Sequence, residues 1–317
     1  MKSRFALDIK NMLQILHNVG LELKYMDVFL EEFDEYCSQN YPYISVLTEN
    51  IAEKWIHNYT TTSKQQMDKR IRTMKHLGRY QRSIGKEAYL PLYRIKANIS
   101  EEPYLFTDVQ LAEFFTMADK LQPHYRSPNR EIIFPVMFRV IYCCGLRSSE
   151  ACNLKVCDVD PGKGTLSIYH SKGYKDRIVY MSDDIRDLCI RFDQYYSRLL
   201  PEREYFFQAS YAKKHYINQN VCITFDTILK EMSFYPFLKK KATTHGLRHL
   251  FAVNSMKKCL EAGEDFNNRI QYLSRYMGHS GIEETMYYLH MTAQLFPIYE
   301  AKLKKLAEGI GVSHVEE

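Results

Sequence analysis

Four separated segments of the chain carry residues that can act on a phosphate. They are GLRSSE at 145–150, SKGYKDR at 171–177, THGLRH at 244–249 and MGHSGIEETMYYLH at 277–290. The candidate groups among them are two guanidiniums, a lysine amine, several imidazoles and a phenol. Arginine pairs its N–H groups with phosphate oxygens and stays charged at any working pH. The four segments therefore predict chemistry at a phosphate.

The reaction follows from what these groups can do together. His245 and Arg248 are three residues apart, so in a helix they share one face and can converge on one ligand. A phenol, with a pKa of about 10, is a poor nucleophile at neutral pH. It becomes useful where positive charge surrounds it and a covalent intermediate forms. The chain has no G-x-x-x-x-G-K-[ST] loop and no evident set of paired carboxylates for two metals. We therefore predict a phosphodiester transesterification that uses neither metal nor cofactor.

The ordered set resembles the tyrosine recombinase (phage integrase) family over about 145 residues, from Gly145 to His290. GLRSSEACNL resembles the first arginine box of the family, and THGLRHLFA resembles its H-x-x-R-H box. MGHSGIEETMYYLH resembles its last box, with Met277 where the family usually has Leu. One box alone would be a weak signal. Four segments in the right order, with a lysine turn between the first and third, are a strong one.

The resemblance implies a role for each matching residue. Two arginines would bind the non-bridging oxygens of the scissile phosphate, and the first histidine would donate a hydrogen bond or assist proton transfer. The lysine would protonate the departing 5′-hydroxyl, the second histidine would bind the transition state, and the tyrosine would form a 3′-phosphotyrosyl bond. An acidic residue after the first arginine would support the site without reacting. In that order the residues are Arg147 and Arg248, His245, Lys172, His279, Tyr288 and Glu150.

Two of these assignments have a neighbouring competitor. Lys175 lies in the same turn as Lys172, and the family pattern, with the reactive lysine just before a glycine, favours Lys172. Tyr287 precedes Tyr288, and consecutive helical side chains point about 100° apart, so only one can face the phosphate. The spacing from Gly278 and the Tyr-x-His ending favour Tyr288.

Two further histidines, His249 and His290, are predicted to support the site and not to react.

The elements that must position these residues are mostly helices. The apolar run from Ile132 to Leu146 is too short to span a bilayer and predicts a buried core helix. Residues 165–169 and 177–181 alternate polar and apolar around the polar SKGYKD turn, which predicts a β-hairpin. The fold class expected is mainly α with a small β-hairpin or sheet (α+β). The resemblance implies a helical core-binding domain followed by an integrase-like catalytic domain.

A domain boundary is predicted near the polar stretch ANISEEP at 97–103. Before it, Ser63 and Gln66 have the spacing of a capping box, and Gly85 suits the end of that helix. After it, Thr107 and Gln110 form a second capping-box pattern. We therefore expect a helical DNA-clamp domain over 1–100 and a catalytic domain over 104–317. The family resemblance suggests that the C-terminal helix of the second domain, from Pro297, is exchanged between protomers.

Basic residues are concentrated in two places, although the net charge of the whole chain is only +5. Between Lys64 and Lys96 ten Lys or Arg face two acids, a local net of +8, and the stretch from 239 to 258 contains no acid. Concentrated positive charge is typical of phosphate binding. The residues predicted to contact DNA are Lys64, Lys69, Arg72, Lys75, Arg79, Arg82, Lys239, Lys240 and Lys241.

The eight cysteines form no C-x-x-C pair, and the N-terminus has no apolar signal core. Both features favour a reduced, cytoplasmic protein without a metal site. The predicted partner is double-stranded DNA with a specific recombination site, bound by a homo-tetramer on paired sites. The expected function is site-specific recombination in integration or excision of a mobile element. Alternatives are resolution of chromosome or plasmid dimers, a type IB topoisomerase-like activity, and a catalytically inactive DNA-binding regulator.

Overall fold

The structure is a computed structural model that describes residues 1–19, 24–58, 63–93, 95, 103–169, 176–210, 214–279, 281, 284–286 and 288. The chain divides into two compact units, Met1–Glu102 (unit 1) and Pro103–Glu317 (unit 2). In the described part of both units no helix is long and apolar enough to cross a membrane. The prediction of a mainly helical fold with a small sheet is confirmed.

Unit 1 contains α1 (Ala6–Asn18), α2 (Lys24–Asn40), α3 (Glu49–His57) and α4 (Lys64–Ser83). Its core is aromatic: Phe33 packs edge-on against both Phe5 and Trp55, with ring centroids 5.3 Å apart in each pair. Helix α4 begins as the sequence predicts, because the Ser63 hydroxyl accepts a hydrogen bond from the Gln66 N–H at 3.2 Å. It ends just before Gly85, whose φ of +83° is readily adopted only by glycine.

Unit 2 is built mainly from helices, with two small sheets between them. The helices are α5 (Asp108–Asp119), α6 (Arg130–Cys144), α7 (Ser148–Asn153), α8 (Asp183–Leu199), α9 (Asn218–Lys230), α10 (Thr244–Ala262) and α11 (Phe266–Met277). The capping box predicted at the start of α5 is present in full, since Thr107 and Gln110 each bond the backbone N–H of the other.

Helix α6 is the buried core helix predicted from the apolar run, and it packs against α5, α8 and α10. It ends at Gly145, which has a φ of +62°. A Cβ added at Gly145 would lie 2.5 Å from Cδ1 of Phe251 on α10. Both the backbone angle and the close approach require glycine here. The chain can therefore turn sharply and begin α7 immediately beside α10.

The larger sheet has three antiparallel strands in the order β1 (Val159–Asp160), β2 (Thr165–Ile168) and β3 (Arg177–Tyr180). β2 and β3 form the predicted hairpin, with Leu166 opposite Val179 and Ile168 opposite Arg177. The side chains of Leu166, Ile168 and Val179 are buried. Strand β1 and the small sheet of β4 (Gln208–Ser210) and β5 (Lys214–His215) were not predicted.

Helices α10 and α11 pack against the described residues of the fourth sequence segment, 277–290. Their buried faces pack on each other, and Met286 and Tyr288 belong to the same apolar cluster. Helix α11 ends in a Schellman motif: Gly278, with a φ of +64°, donates its N–H to the Arg275 carbonyl, and His279 donates to the Ser274 carbonyl. This turn places His279 directly after the end of α11.

Candidate active site

Arg147 is the N-cap residue of α7, one residue after the buried Leu146. Its guanidinium donates through Nη1 to Oε1 of Glu150 at 2.9 Å and through Nη2 to the carbonyl of Gly278 at 2.9 Å. Its backbone N–H donates to Oε2 of Glu150 at 2.8 Å. The side chain of Arg147 is thus fixed by its own helix and by a segment 131 residues further along the chain.

Arg248 lies on α10 and is 1% exposed. Its Nη1 donates to the carbonyl of Gly145 at 2.7 Å, and its Nη2 donates to the carbonyl of Met277. Burial and the nearby charge of Arg147 lower the pKa of Arg248 to about 10, so the guanidinium remains charged at neutral pH. Arg248 therefore joins the turn after α6 to the end of α11.

Glu150 lies among the arginines, with only 4% of its side chain exposed. Arg147 and Arg177 donate to both of its oxygens, and Nη1 of Arg248 lies 3.8 Å from Oε2. Burial by itself raises the pKa of Glu150, but the hydrogen bonds and charge of Arg177, helped by Arg147 and Arg248, lower it below its usual value. Glu150 is therefore ionised at neutral pH.

His245 and Arg248 lie one turn apart on α10, as the H-x-x-R spacing predicts. The ring of His245 packs edge-on against His249 at 4.4 Å between centroids. Desolvation of the ring and the charges of Arg248 and Arg147 lower the pKa of His245 to about 4, although part of the residue is exposed. The neutral imidazole is therefore the form present at working pH.

His279 is buried, and its Nδ1 lies 2.7 Å from the hydroxyl of the buried Thr285. Its ring stacks on Tyr288 with 5.8 Å between centroids and 18° between planes. Burial and the charges of Arg248 and Arg147 lower the pKa of His279 to about 3. His279 is therefore a neutral hydrogen-bonding group held against the phenol ring.

Tyr288 is 2% exposed and lies between two histidines. One is His279, which stacks on its ring, and the other is His249, whose Nδ1 lies 3.0 Å from the Tyr288 hydroxyl. His249 was predicted to support the site, and the H-x-x-R-H motif contained the signal for it. The motif did not show that its ring reaches the phenol oxygen.

Arg177 also lies at this site, although the sequence analysis assigned it no role. It begins β3, directly after the SKGYKD turn, and donates both Nη groups to Glu150 at 2.9 and 2.8 Å. Its Nε donates to the carbonyl of Tyr276 at 2.7 Å. The signal available in the sequence was its position beside the lysine turn.

Three residues that bear on the predicted chemistry, Lys172, Lys175 and Tyr287, lie outside the described residues, as do His290 and the C-terminal segment from Pro297. Within the described part of the chain, no group of three or more His, Cys, Asp or Glu is arranged to hold a metal ion.

The residues predicted to contact DNA lie on α4 in unit 1 and directly before α10 in unit 2. On α4 the exposed residues are Lys64, Lys69, Arg72, Arg79 and Arg82, and Lys75 is partly buried. Several have protein partners: Arg72 pairs with Asp68 at 2.7 Å, and Lys75 donates to the carbonyl of Tyr93 at 2.9 Å. In unit 2, Lys239, Lys240 and Lys241 are exposed just before α10.

The chain is similar in sequence to known integrases and recombinases. The model of the phage integrase family matches residues 113–294, more than half of the chain. The integrase/recombinase y4rB of Sinorhizobium fredii is 23% identical over 309 residues, 92% of this chain and 95% of the relative. The tyrosine recombinase XerA of Pyrococcus furiosus is 32% identical over 168 residues, about half the length of either protein (53% of each).

Among solved structures, the Tn1549 transposon integrase in complex with transposon right end DNA has a TM-score of 0.62 and 14% identity. The match covers 95% of this chain and 99% of that one. At this low sequence identity, the match shows that the two proteins share a similar fold.

The chain therefore belongs to the phage integrase family, the family of the tyrosine recombinases. The resemblance drawn from the four sequence segments is confirmed.

Proposed function

We propose that the chain is a site-specific DNA recombinase that cleaves and rejoins DNA strands through Tyr288. The observation that supports this best is the convergence of a phenol, neutral histidines and two charged arginines at one place in unit 2. Arg147 and Tyr288 come from distant parts of the chain, and both lie beside the end of α11. This arrangement supplies a nucleophile, positive charge and hydrogen-bond donors without further assembly.

Arg147 and Arg248 bind the non-bridging oxygens of the scissile phosphate. A guanidinium has five N–H donors, and in the described part of the chain Nη1 and Nη2 of each arginine donate one hydrogen bond apiece to protein oxygens. We assign the remaining donors to phosphate oxygens. Since the side chains are already fixed, they stabilise the charge that develops at phosphorus without reorganising during the reaction.

The histidines act as neutral hydrogen-bonding groups. A neutral imidazole has one N–H donor and one acceptor nitrogen. Nδ1 of His279 lies 2.7 Å from the Thr285 hydroxyl, and we assign to this imidazole a hydrogen bond to a phosphate oxygen in the transition state. His245 donates a further hydrogen bond from the same face of α10 as Arg248.

In the cleavage step the phenol oxygen of Tyr288 bonds to phosphorus and the bond from phosphorus to the 5′-oxygen breaks. Lys172 gives a proton to the departing 5′-oxygen. The proton of the phenol passes to Nδ1 of His249, which lies 3.0 Å from the phenol oxygen. The phosphotyrosyl bond conserves the energy of the phosphodiester, so rejoining reverses the steps without ATP.

The partner is double-stranded DNA with a specific site, contacted by the exposed lysines at 239–241 and by the basic helix α4. Unit 1 acts as a core-binding domain, and a homo-tetramer assembles on two paired sites in the cytoplasm. We assign the biological role to integration or excision of a mobile element. Dimer resolution is the second candidate, favoured by the 32% identity to the tyrosine recombinase XerA.

Covalent capture tests the activity and identifies the DNA site in the same experiment. Sheared DNA from the organism that encodes the chain is incubated with the protein in EDTA, denatured in SDS, and recovered through the protein for sequencing. We expect one enriched sequence. A duplex of that sequence, nicked near the cleavage point so that the 5′ fragment is lost, should then accumulate an SDS-resistant adduct.

The control variants separate the two adjacent tyrosines. Tyr288→Phe should form no adduct, and Tyr287→Phe should form it at close to the wild-type rate. An adduct in Tyr288→Phe would refute the assignment of the nucleophile. Binding of one DNA sequence with no adduct under any condition would instead favour the inactive regulator. Efficient relaxation of supercoiled DNA that lacks the recovered site would favour a topoisomerase-like enzyme.

A further inference from the structure

Three arginines from separate segments meet at the end of α11. Arg177 donates to the carbonyl of Tyr276, Arg248 to that of Met277, and Arg147 to that of Gly278. The last carbonyls of a helix have no partner within the helix and carry partial negative charge, so cations are stabilised there. The three successive carbonyls thus hold three positive charges close together.

The same three arginines surround the single carboxylate of Glu150, but they bind it differently. Arg177 presents its full fork, with each Nη on one carboxylate oxygen at 2.9 and 2.8 Å. Arg147 offers one Nη and a backbone N–H, and Arg248 comes only to 3.8 Å. With Nε bonded to the Tyr276 carbonyl, Arg177 gives three of its five guanidinium N–H donors to protein oxygens, whereas Arg147 and Arg248 each give two to oxygens of the described residues.

The charges explain why this difference matters. Three guanidiniums and one carboxylate leave a net charge of about +2, which complements a phosphodiester whose charge rises from about −1 to −2 in a transition state with five oxygens around phosphorus. Without Arg177, the buried carboxylate would have only Arg147 and Arg248 as cationic partners here. It would then compete with the phosphate for them, because an unpaired buried charge is costly.

We propose that Arg177 is a positioning residue of the active site, which pairs with Glu150 and so keeps Arg147 and Arg248 available to the scissile phosphate. Arg177 does not itself bind DNA. This inference rests on the proposed recombinase function and adds to it the residue that sets the charge of the site.

A double-mutant cycle on the nicked duplex tests the pairing. Arg177→Met should slow single-turnover adduct formation at saturating DNA by about tenfold or more, because transition-state charge is less well stabilised. The dissociation constant for the same duplex, measured without cleavage in the Tyr288→Phe background, should change by less than about threefold. A slower cleavage rate with a nearly unchanged dissociation constant distinguishes this role from a role in DNA binding.

The decisive variant is Arg177→Met combined with Glu150→Gln. Glutamine keeps the shape of Glu150 and can still accept the Arg147 N–H, but it has no charge left to draw the arginines away. We expect the double variant to cleave several times faster than Arg177→Met alone. A purely structural role for Arg177 predicts no such recovery. Arg177→Lys, which keeps the charge without the fork, should be intermediate.

The matched control is Arg139→Met. Arg139 also forms a two-pronged pair with a carboxylate in unit 2, to Asp119 at 2.7 Å through each Nη, and it lies outside the site. Its loss should leave the cleavage rate unchanged. If the double variant is no faster than Arg177→Met, or if Arg177→Met cleaves like wild type, the inference is wrong. If the wild-type chain forms no adduct at all, the proposed function fails instead.

If far-UV circular dichroism shows that Arg177→Met does not fold, the same comparison is made with Arg177→Lys, alone and combined with Glu150→Gln. The lysine variant should then gain from Glu150→Gln. Equal rates with and without that change would overturn the inference.

Discussion

Acid should destabilise unit 2 through two histidines that are held neutral. Burial and nearby positive charge lower the pKa of both His249 and His279 to about 3. In an unfolded chain a histidine titrates near pH 6.5. Between these values the unfolded chain binds more protons than the folded one, so stability falls as the pH drops below about 7 and continues to fall toward pH 3.

The size of the effect follows from the protons taken up. Between pH 7.0 and 5.5 an unfolded histidine goes from about one-quarter to about nine-tenths protonated, while the folded form stays neutral. The integral is about 1 kcal/mol for each histidine, or about 2–3 kcal/mol for the pair. His245 does not enter this sum, because its exposed surface allows solvent to screen the neighbouring charges.

The measurement is guanidinium unfolding at pH 7.0 and 5.5, followed by far-UV circular dichroism. Trp55, the one tryptophan of the chain, lies in unit 1, so its fluorescence follows that unit in the same samples. In His279→Gln the loss of stability between the two pH values should be about 1 kcal/mol smaller than in wild type. The exposed His124 provides a control, and His124→Gln should retain the full wild-type loss.

Two results would refute the reasoning. One is a wild-type free energy of unfolding that is the same at both pH values. The other is a His279→Gln variant with the full wild-type dependence on pH. In either case the histidines at the site would already be charged in the folded protein, and their role as neutral hydrogen-bonding groups would fail.

Three further outcomes are expected. Gly145→Ala should lower the free energy of unfolding by about 2–4 kcal/mol, because it combines a left-handed backbone with a clash, whereas Gly263→Ala, with a φ of +66° in open space, should cost only about 1–2 kcal/mol in urea unfolding. Equal costs would contradict the clash. Replacing the lysines at 239–241 with glutamine should reduce the slope of log K against log salt for duplex DNA by about 0.9 for each phosphate that the variant no longer neutralises; an unchanged slope would exclude a role for these lysines at phosphates. His249→Gln should slow adduct formation about tenfold or more with unchanged DNA affinity, since it removes the partner of the Tyr288 hydroxyl, and wild-type cleavage by this variant would contradict that role.

The sequence predicted the elements that depend on local pattern. The apolar run indicated α6, alternation indicated the β2–β3 hairpin, and Thr107 and Gln110 indicated the start of α5. Strands β1, β4 and β5 have only two or three residues, too few for an alternating pattern to show.

For the site, the sequence indicated candidate reacting residues but not the contacts between them. The groups that we propose to react were assigned from short motifs, which fix residue type and spacing. The contacts of Arg177 with Glu150 and of His249 with Tyr288 join residues 27 and 39 positions apart. Such contacts depend on how α7, α10 and β3 pack, and no local pattern specifies them.

The arginines of the site also hold unit 2 together, and this links stability with activity. Arg248 can be buried because its charge is matched by two carbonyls and by the carboxylate of Glu150. Burial, and after it the same charge, lowers the pKa of His279. A substitution at Arg248 should therefore do three things at once: remove the proposed phosphate ligand, leave the carbonyls of Gly145 and Met277 without this donor, and raise the pKa of His279. The charge that we assign to the transition state is part of the fold itself, so it is in place before DNA binds.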